Sequence, residues 1–396
     1  MLQFSLRYLA LFCCLSFIKT VSAQTRDPHN HAVCRTEVHD SGYYMRNAEQ
    51  FLATAMAKKN ADPTINDFTS PYYVRVFIRI VRQDDGTLPG CDMATAIQNF
   101  NEMNGQYNAH NICFQLVGLD YVNDTYLNNF NTDANLDVVY PDYIRNNNLD
   151  VDGAMTIFIH YNFLNNNGSS GNAYGIPNNF LSIARWAVTS TNVSSIFGHE
   201  MGHCLGLYHT FTRFNSVQES VTRNNANACY NCTTDGDLCC DTPADYRYTG
   251  NASDDYVNNS CVYSRNYANP CDGLQYNPST INIMSYMPWT CISTTSTALT
   301  ANQRTRMHAT ILNPFGPVYS RVAEDNVVLN GVVVSSNVVR VYSAKNNLSN
   351  SNGTALSNTG SAKVYYAAGN SLTFYPGTSF TPGSSGLVNA SISGCN

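Results

Sequence analysis

Apolar and polar positions alternate most regularly in Tyr72-Tyr73-Val74-Arg75-Val76-Phe77-Ile78-Arg79-Ile80-Val81. With its β-branched content this run predicts a strand, closed by the turn Asp84-Asp85-Gly86. The period then changes. Ala94, Ile97, Phe100 and Met103 recur at helical spacing and Asp92 can cap them, so a helix is expected through about Asn108. Further strands are expected over 112–121, 154–160 and 180–188, the last just ahead of a helix that carries His199. Residues 214–278 are rich in Cys, Asn and Asp and show little regular pattern. A loop that long is either functional or stapled, and Cys229, Cys232, Cys239, Cys240, Cys261 and Cys271 within it favour stapling. A helix over 300–312 ends this part of the chain.

Beyond Pro314 the pattern is one of short alternating runs rich in Val, Ser, Gly and Tyr, over 327–341 and 363–391. The turn pairs Pro376-Gly377 and Pro382-Gly383 break them up, which suggests a small all-β module. A flexible tail is the competing reading, disfavoured by so much Val, Tyr and Phe. At the other end Arg7 is the only charge before a largely apolar run over 8–18, and Val21-Ser22-Ala23 offers small residues for cleavage. That run falls short of the ~20 residues a membrane span needs, so a secretory signal is expected rather than an anchor. No later stretch is long and apolar enough to span a bilayer. The polar segment after it, with a short helical stretch near 48–59, reads as a pro-segment. The expected organisation is therefore a signal peptide over 1–23, a pro-segment over 24–70, a main domain over 71–316 and a β-rich module over 317–396.

Composition adds a compartment. Of the 14 cysteines, Cys13 and Cys14 leave with the signal, and the 12 that remain fit an oxidising, extracellular environment with disulfides. A net charge of −6 with few charged residues argues against nucleic acid or an anionic membrane as partner. Sequons such as those at Asn123 and Asn251 matter only where the host glycosylates them.

The candidate chemistry lies in His199-Glu200-Met201-Gly202-His203-Cys204-Leu205-Gly206-Leu207-Tyr208-His209. Residues four apart share a helix face, so His199 and His203 can offer imidazoles to one ion. Gly206 lets the chain turn sharply, and His209 can then return as a third ligand. Three protein ligands leave a tetrahedral zinc one open position, the mark of a catalytic site. Glu200 adjoins a ligand and is placed to act on a zinc-bound water rather than on the zinc. The bare His-Glu-x-x-His pattern arises by chance in unrelated helices; the extended form fixes five residue types and is far more specific.

Several further words follow: Thr210-Phe211, Gly236-Asp237, Asp241-Thr242-Pro243, Asn282-Ile283-Met284-Ser285-Tyr286 with Cys291, and Gln303 with Arg306-Met307. Together with the zinc motif they resemble the pappalysin family of metzincin zinc metalloproteases, in particular its ulilysin-like secreted bacterial members. The resemblance is rich in motifs over about 180–312, looser over 72–180 and absent from the C-terminal module. That module is more weakly similar to β-rich repeats of other secreted bacterial proteins, through Tyr375-Pro376-Gly377 and Ile392-Ser393-Gly394-Cys395, and has a candidate role in surface attachment or targeting.

The family implies an α/β fold: a twisted mixed sheet with a backing helix and the active-site helix, then an irregular lower subdomain, with the cleft between. The strand over 180–188 would border that cleft and pair with extended substrate. A zinc-bound water would attack the peptide carbonyl while Glu200 accepts its proton and passes it to the leaving amine. Met284 would underlie the metal, and Tyr286 would steady the oxyanion, with a packed core tyrosine as the alternative. Asp237, Thr242 and the Cys240 carbonyl match calcium-binding positions; otherwise Asp237 and Asp241 cap turns. Cys34 in Val33-Cys34-Arg35 matches a pro-segment cysteine that ligates zinc and silences the zymogen, although Arg35 stands where Gly is usual, and an ordinary disulfide competes. Family spacing pairs Cys261 with Cys291, and Cys229 or Cys232 with Cys271. Cys91 with Cys113 is a plausible local staple, and Cys204 a buried thiol. Relatives that cut beside Arg or Lys carry an acidic residue where Trp289 stands here, so Arg specificity is not implied and an apolar or aromatic preference is expected. The rival class is a non-enzymatic adhesin on a degenerate protease fold. It is disfavoured because Glu200 and all three histidines are kept.

Overall fold

A computed structural model describes residues 71–130, 136–163, 169–189, 196–214, 217–246, 257, 260–287, 291–292 and 298–394, together with the backbone of residues 33–34. The expected signal peptide, the helical stretch near 48–59 and Trp289 lie outside the described residues. The main sheet is built from β1 (Val33–Cys34), β2 (Tyr72–Arg82), β3 (Ile112–Asn123), β4 (Met155–His160), β5 (Ser169–Asn172) and β6 (Phe180–Ala184), in the spatial order β1-β5-β6-β4-β2-β3. All neighbours run parallel except β5 with β6, so the sheet is mixed, as expected. The helices are α1 (Met93–Asn108), α2 (Thr125–Asn128), α3 (Leu136–Asn146), α4 (Arg185–Thr189), α5 (Ile196–Cys204) and α6 (Ala301–Leu312). None of the helices among the described residues is long and apolar enough to cross a membrane.

The α1 helix begins where Asp92 accepts a hydrogen bond from the Thr95 amide at 2.7 Å. Its Ala96, Phe100, Met103 and Tyr107 join Val74, Val76, Ile78 and Ile80 of β2 and Phe197, Met201 and Cys204 of α5 in one core. Burying each of the larger side chains contributes ~1.5–3 kcal/mol, which clamps the motif-bearing helix between α1 and the sheet. The α6 helix starts with a capping box between Thr300 and Gln303.

Three elements depart from the sequence reading. The strand expected over 180–188 stops at Ala184, opposite His160, the last residue of β4. With no partner beyond that point the chain turns into α4, whose Val188 carbonyl accepts from Asn99. The resulting β6 lies inside the sheet between β5 and β4, so it cannot border the cleft; β5 is the strand nearer the edge. The α3 helix forms around Pro141 because Tyr140 and Ile144, four apart, are both buried. The expected staple between Cys91 and Cys113 is absent: Cys91 is a buried free thiol, and Cys113 is disulfide-bonded elsewhere. Cys113 pairs with Tyr73 at one end of β2, whereas the Gly90 amide bonds the Val81 carbonyl at the other. At ~3.3 Å per residue the two cysteines stand on the order of 25 Å apart, far beyond disulfide reach.

The described residues between 214 and 287 contain little regular structure apart from isolated bridges, such as Val257 with Tyr263 and Ala268 with Gln275. The bonds Cys229–Cys271, Cys232–Cys240 and Cys261–Cys291 staple this segment, including the expected Cys261–Cys291 pair and one of the two alternatives for Cys271. Cys204 and Cys239 are buried free thiols.

The C-terminal module is all-β, as expected, and it is a parallel solenoid. Its first coil comprises β7 (Asn326–Leu329), β8 (Val332–Val334) and β9 (Val339–Ala344). The second comprises β10 (Asn347–Asn350), β11 (Leu356–Gly360) and β12 (Lys363–Ala368), and the third β13 (Ser371–Thr373), β14 (Thr378–Pro382) and β15 (Leu387–Ile392). Each strand stacks in parallel on its counterpart, giving the sheets β7-β10-β13, β8-β11-β14 and β9-β12-β15. Leu329, Val334, Leu348, Leu356, Val364 and Tyr366 fill the interior. The solenoid leans on the other face of the main sheet, where Val341, Tyr365 and Ala367 share a core with Phe77, Val117, Val151 and Ala154. Gln115 adds hydrogen bonds to the Ala344 and Ser393 carbonyls, and the Arg75 guanidinium holds the Ser320, Arg321 and Val322 carbonyls. Strand β2 is thus covered on both faces, which explains why Arg79 is only 5% exposed.

Candidate metal centre

The α5 helix places His199 and His203 one turn apart, with Glu200 beside the first, and all three are buried. After Cys204 the helix ends at Gly206, whose φ of +92° is left-handed backbone that a side chain would strain. The Gly206 amide bonds the His203 carbonyl and the Leu207 amide the Gly202 carbonyl, a helix-terminating pair of bonds. The chain then reverses and brings His209 back. The three Nε2 atoms converge, at 3.2 Å for His199–His203, 3.2 Å for His199–His209 and 3.1 Å for His203–His209.

These contacts are not ordinary hydrogen bonds. The His199 Nδ1–H donates to the Ile283 carbonyl at 2.6 Å, and the His203 Nδ1–H donates to the Leu207 carbonyl at 2.8 Å. Both bonds fix the tautomer that leaves Nε2 without a proton. Burial pulls the His199 imidazole down to about 4 and that of His203 well below its usual range, which keeps both neutral. A tetrahedral zinc with Zn–N bonds of ~2.0–2.1 Å sets its ligand nitrogens ~3.3 Å apart, so three imidazole nitrogens at this spacing fit one zinc ion. Among the described residues these histidines are the only group of three or more His, Cys, Asp or Glu ligand atoms drawn so close together.

The turn at 282–286 supports the site from below. The Asn282 side chain accepts from the Met284 amide at 2.9 Å and donates to Gln303 at 3.0 Å. Met284 is fully buried beneath the helix, and a Cβ on Gly202 would stand 2.4 Å from its sulfur, so helix and turn approach as closely as a glycine allows. The Thr210 amide bonds the Met284 carbonyl, and the Thr210 and Ser285 hydroxyls both donate to Asp245, at 2.6 and 2.7 Å. Tyr286 is half-buried, its ring 4.9 Å from that of His209 and 5.9 Å from that of His199. Phe211 stacks on His209 at 4.8 Å and meets Tyr286 edge-on at 4.9 Å.

On the sheet side β5 packs against Glu200. A Cβ on Gly171 would lie 2.7 Å from the Glu200 Cγ and 2.8 Å from its Oε1, so strand backbone touches the carboxylate with nothing between. Along the outer edge of β5 runs β1, with Cys34 opposite Gly171. The expected pro-segment cysteine is therefore in register with the residue that touches Glu200.

The candidate calcium positions sit in the stapled segment. Asp237 is buried, its carboxylate accepting from the Cys239 amide at 3.0 Å and the Gln303 side chain at 2.8 Å. Burial raises it to about 7, against the hydrogen bonds from Thr242 and Cys239. Thr242 is buried beside it, and Cys240 is tied to Cys232. Glu219 joins this group: burial first and the Asp237 charge second raise it to about 9, despite its 2.8 Å ion pair with Arg223. Glu219, with Arg223 beside it, and Asp237, with Arg306 near it, form a buried oxygen-rich cluster of the kind that suits Ca²⁺.

Sequence reasoning missed Asp245, Glu219 and Gly171. The first two read as ordinary acidic loop residues, and Gly171 sits in the polar run Ser169-Ser170-Gly171-Asn172, which carries no strand pattern. Only the burial of Ser170 and Asn172, which sequence does not reveal, marks it as an inner strand.

Residues 92–210 match the family model for Metallo-peptidase family M12B Reprolysin-like, a span that runs from the cap of α1 to the residue after His209. This span of the chain is thus similar to reprolysin-like metallopeptidases. No curated protein matches it. Among solved structures it is similar to a mutant of Tannerella forsythia promirolysin, at 14% identity and a TM-score of 0.46 over 73% of this chain and 96% of that one. It is similar as well to mature mirolysin of Tannerella forsythia in complex with a cleaved peptide, at 15% identity and a TM-score of 0.43 over 64% and 96% of the respective chains.

Proposed function

From three imidazole nitrogens that converge beside a buried glutamate, within a span that matches a metallopeptidase family model, we propose that the chain is a secreted zinc-dependent metalloendopeptidase of the pappalysin type. The convergence of His199, His203 and His209 with Glu200 carries this reading. Zinc, when bound, supplies Lewis acidity toward water and a peptide carbonyl. The chain's residues supply the rest. The carbonyls of Ile283 and Leu207 orient two of the ligands through Nδ1. Glu200 takes the proton of the attacking water and returns it to the leaving amine nitrogen. The Tyr286 phenol, beside His209, is the donor for charge developing on the carbonyl oxygen.

Because β6 is interior, the strand that takes an extended peptide substrate is β5, whose outer edge β1 occupies in this structure. The β1 pairing supports a zymogen in which Val33–Cys34 occupies the β5 edge and Cys34 holds the site silent. Glu219, Asp237, Thr242 and the Cys240 carbonyl form a structural calcium site.

The test uses the mature protein and a proteome-derived peptide library, with and without a zinc chelator. Wild type should cut internal peptide bonds and stop when zinc is removed. Glu200→Ala should keep one zinc per chain by elemental analysis while turnover falls about 10²–10⁴-fold, the span of general acid–base assistance. Retained turnover in that variant would falsify the role of Glu200. A zinc-loaded wild type that cuts nothing would favour the adhesin reading.

A further inference from the structure

We infer that Asp245 is a positioning residue that sets the third zinc ligand and Tyr286 relative to one another. This rests on the peptidase reading and extends it to a carboxylate that touches neither metal nor substrate. Asp245 is 4% exposed and lies outside the zinc motif, 36 residues beyond His209. Its Oδ2 accepts from two hydroxyls on separate strands of chain, Thr210 at 2.6 Å and Ser285 at 2.7 Å, both buried. Thr210 directly follows His209, and Ser285 stands between Met284 and Tyr286. One carboxylate oxygen therefore ties the residue next to the third ligand to the residue next to the phenol. Short O–H···O⁻ bonds in a buried setting are among the strongest neutral-to-ion hydrogen bonds.

The same two segments are also joined by the Thr210 amide bond to the Met284 carbonyl, at 3.1 Å. A backbone bond and a side-chain anchor at neighbouring positions together restrict rotation of one segment against the other. What the pair fixes is the edge-on packing of Tyr286 on His209, with ring centres 4.9 Å apart. Asp245 is itself held by the Gln218 side chain, which donates to its backbone carbonyl at 3.0 Å. Its backbone is thereby tied to the stapled segment.

The experiment compares full-length matured wild type with Asp245→Ala, Asp245→Asn, Thr210→Val and Ser285→Ala. Each is loaded with Zn²⁺ for kinetics and with Co²⁺ for its visible spectrum, which reports ligand geometry without turnover. Asp245→Ala should lower kcat about 100-fold with KM within a few-fold, weaken zinc about tenfold and shift the Co²⁺ bands. Asp245→Asn keeps an acceptor oxygen and should recover most of both losses. Should Asp245→Ala fail to fold, Thr210→Val and Ser285→Ala each cut one arm and should each shift the Co²⁺ bands and lower kcat. Folded, metal-loaded variants with wild-type spectra and kcat overturn the inference, as does a drop in thermal stability with neither readout changed. A wild type that binds Co²⁺ yet cleaves no peptide defeats the peptidase reading alone, since the spectra still test Asp245.

Discussion

His160 shows how strongly one buried side chain can couple this fold to pH. Its Nδ1–H donates to the Leu127 carbonyl at 2.9 Å, and its Nε2 accepts from the Tyr140 hydroxyl at 2.8 Å, with no exposure to solvent. Burial lowers it to about 3, so the folded protein resists a proton that the unfolded chain accepts near 6.5. The stabilising contribution is complete above about 6.5 and is lost as the pH falls toward 3; at pH 5 the loss is ~2 kcal/mol. Urea unfolding of wild type and His160→Gln at pH 7.5 and pH 5 should show a steeper acid loss in wild type by about that amount. Equal slopes would contradict it. At this scale the sequence was legible where chemistry demands fixed spacing: His199, His203, His209 and Glu200 came from positions alone. It was silent on Asp245 and Gly171, whose roles come from contacts made across 35 and 29 residues.

Among the elements, the stapled segment over 217–246 has the most work for the least regular structure. Glu219, Asp237 and Asp245 are all buried there, and Gln303 at the start of α6 links Asp237 to Asn282 beneath the metal centre. Calcium at the proposed site would relieve the repulsion between Glu219 and Asp237. Its removal should therefore lower both thermal stability and activity, with ~1–3 kcal/mol of stability returning at millimolar Ca²⁺. A calcium-selective chelator, followed by Ca²⁺ or Zn²⁺ in separate arms, checks this. Recovery with Zn²⁺ alone, or no effect of the chelator, would remove calcium from the account. Elements with a clean period, β2, α1, β3, β4 and α6, were readable to within about two residues. Those lacking one were not. Polar β5 is a strand through its partners, α3 overrides Pro141 through tertiary burial, and α4 begins where β4 runs out of residues to pair.

For the molecule as a whole, the C-terminal coils serve as a wall of the main domain. Phe77 and Tyr365 pack edge-on at 4.8 Å within a shared core, and Lys363 reaches Asp120 at 3.3 Å. A contact of this kind makes the two parts unfold together. Tyr365→Ala should cost ~3–5 kcal/mol and lower a single cooperative transition in calorimetry. Two separate transitions, with the metal-binding one unmoved by Tyr365→Ala, would show the parts to be independent. Composition and turn pairs were enough to expect strands here, but their parallel stacking was not legible. Val339, Lys363 and Leu387 occupy equivalent positions, and such different residues leave no visible repeat.

The pairing of β1 on β5 carries a consequence for how a latent form would be silenced. A strand has two edges; β6 holds one edge of β5 and β1 the other. In the proposed zymogen, pro-segment and peptide would then be mutually exclusive tenants of one backbone ladder, whatever the role of Cys34. A Cys34→Ser form would thus remain closed to long substrates, while water and small chelators would regain their path to the three histidines.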